Sequence, residues 1–297
     1  MTRAAPAAEV TIDAPLVRAL LEEQHSDLAR LPFGPTDANS GWDNVMVRLG
    51  ETLCVRLPRR AAAAKLIEHE QAFLPVIAEL LPLPVPLPVR TGVPGCGYPW
   101  RWSIVPWLPG APADRAPPDD NAAGQWGRFL HALHVPAPAT VPENPWRGGP
   151  LASRAVVLGE RLQWVAAQTP HVTVEIQRGW EEALVATLDT ERTWIHGDLH
   201  ALNVLVEDGT LSGVIDWGDI TAGDAATDLA SIWMLFPGQT ARRLAFAAYG
   251  SVSEPTYRRA KGWAMAFAVT LLDARLADNA RLAEIGRQTL RRVAEDS

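Results

Sequence analysis

Residues 196–203, His-Gly-Asp-Leu-His-Ala-Leu-Asn, and residues 214–219, Val-Ile-Asp-Trp-Gly-Asp, decide how this chain is read. Asp198 stands five positions before the amide of Asn203, the spacing His-x-Asp-Leu-x-x-x-Asn of a phosphoryl-transfer catalytic loop. A second carboxylate, Asp216, follows thirteen positions after Asn203. Between them an apolar run, Ala201 to Val206, is separated from another, Leu211 to Ile215, by Glu207-Asp208-Gly209-Thr210. Asp-Gly between two apolar runs signals a hairpin, and a hairpin here brings Asn203 and Asp216 together at one end. Asp198 would then act as the catalytic base that orients a hydroxyl, with Asn203 and Asp216 as hard oxygen ligands for Mg²⁺. Singly, the three read as a turn residue, a loop amide and a strand-end cap. Their joint spacing is what carries the chemistry.

The rest of the composition narrows the class. At 297 residues and 47% hydrophobic, the chain can form one large domain or two lobes with a cleft. A net charge of −7 argues against a nucleic-acid partner, whose footprint is basic, and is compatible with a cationic substrate. Cys54 and Cys96 form neither a metal spacing nor a disulfide framework, so a reducing cytoplasm is the expected setting. The N-terminal residues lack an apolar signal region, no apolar run reaches spanning length, and no membrane partner is expected. A Gly-x-x-x-x-Gly-Lys-Ser/Thr loop occurs nowhere in the sequence, which removes a P-loop mechanism.

Patterning predicts a helix over Ala14 to Leu31, then a loop from Gly34 to Asp43. Strands follow at Asn44 to Leu49 and Thr52 to Leu57, with a helix over Arg60 to Leu80. Alternating prolines keep Leu81 to Arg90 extended. A strand is expected over Tyr98 to Leu108, then helices over Asp119 to His134, Ser153 to Ala167, Val174 to Leu188 and Ala225 to Leu235. A β-rich first third joined to a helical remainder implies an α+β architecture of two lobes, with the boundary near Trp107 to Pro112.

The stretch His196 to Ala230 resembles the aminoglycoside phosphotransferase family. Gly41-Trp42-Asp43-Asn44, Val55-Arg56-Leu57-Pro58, Leu83-Pro84-Val85-Pro86 and Gly97-Tyr98-Pro99-Trp100 agree with it. The resemblance extends to macrolide phosphotransferases, choline kinases and homoserine kinase-like enzymes. It implies a protein-kinase-like fold, with a small β-rich N-terminal lobe (residues 1–107) and a larger helical C-terminal lobe (108–297). It also implies ATP or GTP as co-substrate, Mg²⁺, and a small-molecule hydroxyl as acceptor, in a monomer or homodimer. An aminoglycoside or macrolide is the suggested acceptor. The alternatives are a primary metabolite (choline-like, a sugar or an amino alcohol) and a kinase-like binding module without catalysis. Only Trp217 to Asp224 separates Asp216 from the next helix, too short for a protein-kinase activation segment.

Several further residues gain roles in that setting. In the strand Thr52 to Leu57, Cys54 and Arg56 point away from the apolar face of Leu53, Val55 and Leu57. Arg56 would grip phosphates where similar kinases carry lysine; its fork suits bidentate contact, and the exchange is also what a silent module would show. Glu70 falls within the apolar stripe of Leu66, Phe73 and Ile77, where a carboxylate is costly unless paired, and the family pattern implies an Arg56–Glu70 ion pair. Glu68 lies off that stripe and reads as solvated. The loop with Ser40 and Gly41 stands where such kinases fold backbone over phosphates; a plain turn is an equal reading. By the same resemblance, the Pro106 carbonyl and the Leu108 amide would face the purine. Trp100, Trp102 and Trp107 read as core or interface aromatics. His196 would order the catalytic loop and Asp228 would brace it. His200 either approaches the metal or packs, and Asp219 is either a third acidic group or a turn residue. His131 and His134 read as packing, since a metal site needs more ligands. Glu254, Asp273, Asp278 and Glu284 read as solvated faces that could also attract amines.

Overall fold

The computed structural model describes residues 7–34, 43–141, 143–144, 146–273 and 279–296. Helix α1 (Ala14–Gln24) starts at Asp13, whose carboxylate accepts the Leu16 N–H, and buries Val17, Leu20 and Leu21. It stops well before the expected Leu31. Arg18 reaches the carbonyls of Ala29 and Leu31, and the chain folds back in turns whose carbonyls the guanidinium satisfies.

Strands β1 (Asn44–Leu49), β2 (Leu53–Pro58), β3 (Arg90–Gly92) and β4 (Trp102–Pro106) form an antiparallel sheet in the order β1-β2-β4-β3. Arg56 pairs with Met46 on one side and Ser103 on the other, in the middle of the sheet. Val55 and Leu57 face a core with Val47, Leu49, Trp102 and Ile104. Cys54 and Arg56 face the opposite way. The expected strand from Tyr98 begins only at Trp102, because Tyr98 bridges back to Gly95 in a tight turn.

Helix α2 (Ala61–Ala78) runs through Pro75, which lies on its exposed side. Its buried stripe is Ala63, Ile67, Glu70, Leu74 and Ile77; Leu66 and Phe73 sit at the margin, half-buried. The described residues hold two apolar clusters. The second draws mostly on residues after Ala113, but it takes in Leu74, Ile77 and Leu83 from ahead of the expected boundary. Helix α2 therefore packs against both halves of the molecule.

Beyond the sheet come β5 (Ala111–Pro112), α3 (Ala122–Leu133), α4 (Ala155–Gln168), α5 (Val174–Val185) and β6 (Thr193–Ile195). The hairpin is β7 (Val204–Glu207) and β8 (Thr210–Val214), and β9 (Thr221–Gly223) pairs with β6. At its tip Asp208 (φ 49) and Gly209 (φ 75) both take positive φ, the two-residue turn that matches strand twist. Helices α6 (Ala226–Leu229), α7 (Ser231–Leu235), α8 (Gln239–Tyr249), α9 (Glu254–Leu272) and α10 (Ala280–Glu295) complete the fold. The single helix expected over Ala225 to Leu235 is split. The Ser231 hydroxyl donates to the Asp228 carbonyl (2.6 Å) and accepts from the Trp126 indole (2.9 Å), a local bond that competes with the helical ladder. No described helix is long and apolar enough to cross a membrane.

The end of α10 is locked by Arg242. Its Nε and Nη2 donate to the two oxygens of Asp296, each at 2.7 Å, and Nη1 donates to the Phe236 and Pro237 carbonyls. Arg242→Ala should cost about 3–5 kcal/mol, because it strands a partly buried carboxylate. Burial raises the Asp296 pKa, but Arg242 outweighs it and the net shift is downward. The pair's contribution is therefore full above the unfolded aspartate pKa, near 3.9, and fades as pH falls through the lower folded value. The stability gap between wild type and Asp296→Asn, followed by denaturant unfolding, should be constant from pH 5 to 7 and shrink below about pH 4.

Candidate active site

The open end of the β7–β8 hairpin assembles the three residues singled out by spacing. Ile215 N–H donates to the Asn203 carbonyl at 2.9 Å, which closes the hairpin. The Asn203 side-chain amide donates to the Asp198 carbonyl at 2.9 Å. Asp216 follows the second strand with φ 64 and ψ 61, a left-handed conformation that is strained for a residue with a Cβ. That turn directs its carboxylate to Arg56, whose Nη2 donates to Oδ1 at 2.7 Å.

The loop is braced from beneath. Asp228, fully buried, accepts the His196 N–H (2.7 Å) and the Gly197 N–H (2.9 Å). It is the third residue of α6, not its cap; Asp224 accepts the Ala226 N–H instead. His196 Nδ1 accepts the Asp198 N–H (3.2 Å), so Nε2 carries the hydrogen and donates to the Ile215 carbonyl (3.0 Å). One imidazole thus ties the Asp198 loop to the strand leading into Asp216. His134 sits 3.4 Å from Asp228 and 3.0 Å from the Tyr249 hydroxyl, while His131 meets the Tyr249 carbonyl.

Arg56 is buried between two carboxylates, with Nη1 on Glu70 and Nη2 on Asp216. Burial lowers an arginine's pKa, but Glu70 and Asp216 outweigh it, so the guanidinium stays charged. The Asn44 amide oxygen, in the orientation that satisfies both groups, accepts from Arg56 Nε and Nη2 at 3.2 Å. A cavity of about 420 Å³ opens beside this cation. Cys54, Arg56, Val105, Pro106, Trp107 and Leu108 line one side, and Asn203, Leu205, Ile215 and Asp216 the other. Trp102 is buried in the sheet's core, and Trp100 packs edge-on against Tyr98. Trp107 is 40% exposed, with the Arg48 guanidinium 4.3 Å above its ring. Ser40 and Gly41 lie outside the described residues.

The donor set suits Mg²⁺. Asn203 commits its amide nitrogen to Asp198, which leaves the carbonyl oxygen as its ligand atom. Asp216 uses Oδ1 for Arg56, and its side chain is 55% exposed beside the cavity. Two hard oxygens next to a space large enough for phosphates match an ion that retains water and takes few protein ligands.

The side chain of Asp198 meets a residue that no motif marked. Arg147 Nη2 donates to Asp198 Oδ1 at 2.7 Å, and Arg147 Nε lies 3.8 Å from Asp219. Asp219 also accepts from Asn144 at 2.7 Å, so it serves this cluster and does not line the nucleotide-sized cavity. His200 Nδ1 accepts the Leu202 N–H, and Nε2 stands 3.4 Å from Asp198 Oδ2. Burial raises the Asp198 pKa, but Arg147 and His200 outweigh it and hold the carboxyl well below the usual range. Burial pulls His200 down, yet Asp198 lifts it above the ordinary histidine value. For Asp219 burial wins over Arg147 and the pKa is raised. Arg147 lies in a Pro- and Gly-rich loop with no periodicity, and nothing in the sequence announced it.

Comparison with known proteins gives the family and the fold. The model of the phosphotransferase enzyme family APH matches residues 36–263. A homoserine kinase of Gluconobacter oxydans is 32% identical over 136 residues, covering 43% of this chain and 40% of that kinase. The chain thus spans well under two thirds of that relative's length. Among solved structures, the GDP complex of aminoglycoside 2'-phosphotransferase-IIIa superposes with a TM-score of 0.67 at 18% identity, over 96% of this chain and 99% of that one. Macrolide 2'-phosphotransferase MphH from Brachybacterium faecium gives 0.62 at 21% identity, over 94% and 97%.

Glu70→Ala leaves Arg56 buried with one carboxylate fewer. It should destabilise the protein by about 3 kcal/mol and weaken nucleotide binding, read by denaturant unfolding and nucleotide titration. Unchanged nucleotide affinity and turnover would rule out a role for the pair in holding phosphates.

Proposed function

The chain belongs to the APH phosphotransferase enzyme family, and from that premise we propose that it is an Mg²⁺-dependent O-phosphotransferase. It moves the γ-phosphoryl group of ATP or GTP to a hydroxyl of a small molecule. The observation that carries this reading is the joint fixing of Asp198, Asn203 and Asp216 at one end of the hairpin, beside the buried Arg56.

Phosphoryl transfer asks the protein for positioning and charge more than for covalent chemistry. Asp198 orients the acceptor hydroxyl and receives its proton as the phosphoryl group arrives. Arg56, kept in place by Glu70, binds phosphate oxygens through its fork. The Pro106 carbonyl and Leu108 N–H hold the base, at the join between residues 1–107 and 108–297. Mg²⁺, held by Asn203 and Asp216 when bound, supplies the charge that offsets the phosphates. His196 and Asp228 keep Asp198 at a fixed distance from the metal ligands.

The two solved relatives are named for aminoglycoside and macrolide acceptors, and either antibiotic class is a candidate here. A second reading, a kinase of a primary metabolite, is favoured by Arg147 against Asp198 and by the likeness to a homoserine kinase. A silent binding module is disfavoured by the joint presence of Asp198, Asn203 and Asp216. A cytoplasmic monomer or homodimer without nucleic-acid or membrane partners goes with this function.

The test is turnover with ATP and with GTP, plus Mg²⁺, across aminoglycosides, macrolides and hydroxylated metabolites. Asp198→Asn should lower acceptor-dependent turnover by roughly 10²–10⁴-fold while nucleotide binding persists. Tight Mg²⁺-nucleotide binding with no turnover on any acceptor would favour the binding module.

A further inference from the structure

Neither Arg147 nor Arg154 lines the nucleotide-sized cavity. Arg147 reaches Asp198 from the loop ahead of α4, with its guanidinium 5.3 Å from the ring of Phe267 on α9. Its side chain is 27% exposed, and its buried Nε has no hydrogen-bond partner. Arg154 lies within electrostatic range of it: Nη1 donates to the Trp146 carbonyl at 3.0 Å, and the guanidinium lies 5.0 Å over the Trp146 ring. Trp146 is itself 64% exposed, an apolar shelf beside two cations. Among the described residues Arg154 has no carboxylate within ion-pair distance.

This arrangement constrains the acceptor. Arg147 occupies only Oδ1 of Asp198, so a hydroxyl can meet Oδ2, 3.4 Å from His200, while the guanidinium stays beside it. Arg147 already has Asp198 and Asp219 beside it, so the cation open to an anion is Arg154, whose fork a carboxylate or a phosphate matches with bidentate geometry. A polyamine would instead meet Arg147 and Arg154 with like charge. The late acidic residues that could have drawn amines are engaged elsewhere: Asp273 is buried 3.6 Å from Arg161, Glu254 pairs with Arg258 and Glu284 with Arg287. Asp278 lies outside the described residues. We propose that the phosphoryl acceptor carries an anionic group, a carboxylate or a phosphate, and that Arg154 binds it in the field of Arg147 beside Asp198. This rests on the phosphotransferase reading and narrows it to hydroxylated anions.

The experiment compares acceptors matched in length and differing in charge: 4-hydroxybutyrate, butane-1,4-diol and 4-aminobutan-1-ol. Larger hydroxy acids, sugar phosphates, kanamycin and erythromycin are run with them, using the whole chain, ATP or GTP, and Mg²⁺. The anionic members should show kcat/KM at least about tenfold above their neutral and cationic counterparts. For the best of them, Arg154→Gln should raise KM about tenfold or more with a much smaller change in kcat, and Arg154→Lys should recover part of the loss. A neutral or cationic acceptor as the best substrate, or a KM indifferent to Arg154→Gln, would overturn the proposal. A second measurement is independent of turnover: calorimetric titration of malonate into the protein saturated with Mg²⁺ and a non-hydrolysable ATP analogue. Binding that disappears in Arg154→Gln supports the anion site, and absence of binding overturns it. Failure of every acceptor would count against the phosphotransferase reading, and the malonate titration would still decide the site.

Discussion

The buried guanidinium of Arg56 is the constraint on which the rest of the structure depends. It leaves the middle of the β-sheet, meets Glu70 on α2 and reaches Asp216 at the end of the catalytic hairpin. Two consecutive elements and a hairpin 160 positions further on are thereby tied to one charge. Removing the Arg56 cation and the Glu70 carboxylate from water is expensive, so their contact persists only if sheet and helix keep their distance. That coupling also leaves a charged guanidinium at the wall of the cavity. Helix α2 carries the same coupling in its packing, since its buried stripe joins the core of the second half while Glu70 faces the first.

A second layer of order comes from groups that do no chemistry. Asp228 holds two backbone N–H groups of the catalytic loop, and His196 links that loop to Ile215. Both are buried, where an unmet hydrogen bond costs more than a met one gains. The loop therefore has one low-energy arrangement, and Asp198 projects from it in a fixed direction. Its carboxylate meets Arg147 and His200, which set its charge state more strongly than burial does.

Much of this was legible in the chain because it depends on short-range rules. The Asp208-Gly209 turn follows from positive φ, and the turn in turn brings Asn203 next to Asp216. A carboxylate in an apolar helical stripe requires a partner, and the family resemblance implied Arg56, which Glu70 meets. Other readings needed revision for equally physical reasons. Helix α1 is short because Arg18 captures carbonyls beyond its end, and Ala225–Leu235 is broken because Ser231 bonds its own turn. The stripe on α2 is rotated by one residue: Ile67 and Leu74 are buried, while Leu66 and Phe73 sit half-buried at its margin. Asp273, which read as solvated, is buried against Arg161.

By itself the sequence determined the spacing of Asp198, Asn203 and Asp216, the hairpin that gathers them, and the strand alternation that sets Arg56 opposite its apolar face. Those features repeat at fixed spacings because turn geometry, strand alternation and helical period act over a few residues. Only the tertiary structure decided what surrounds Asp198 on its other side. Asn144 and Arg147 come from a loop with no periodicity and meet Asp219 and Asp198 across 75 and 51 positions. Such contacts are set by how helices pack around a loop, and no local pattern encodes them.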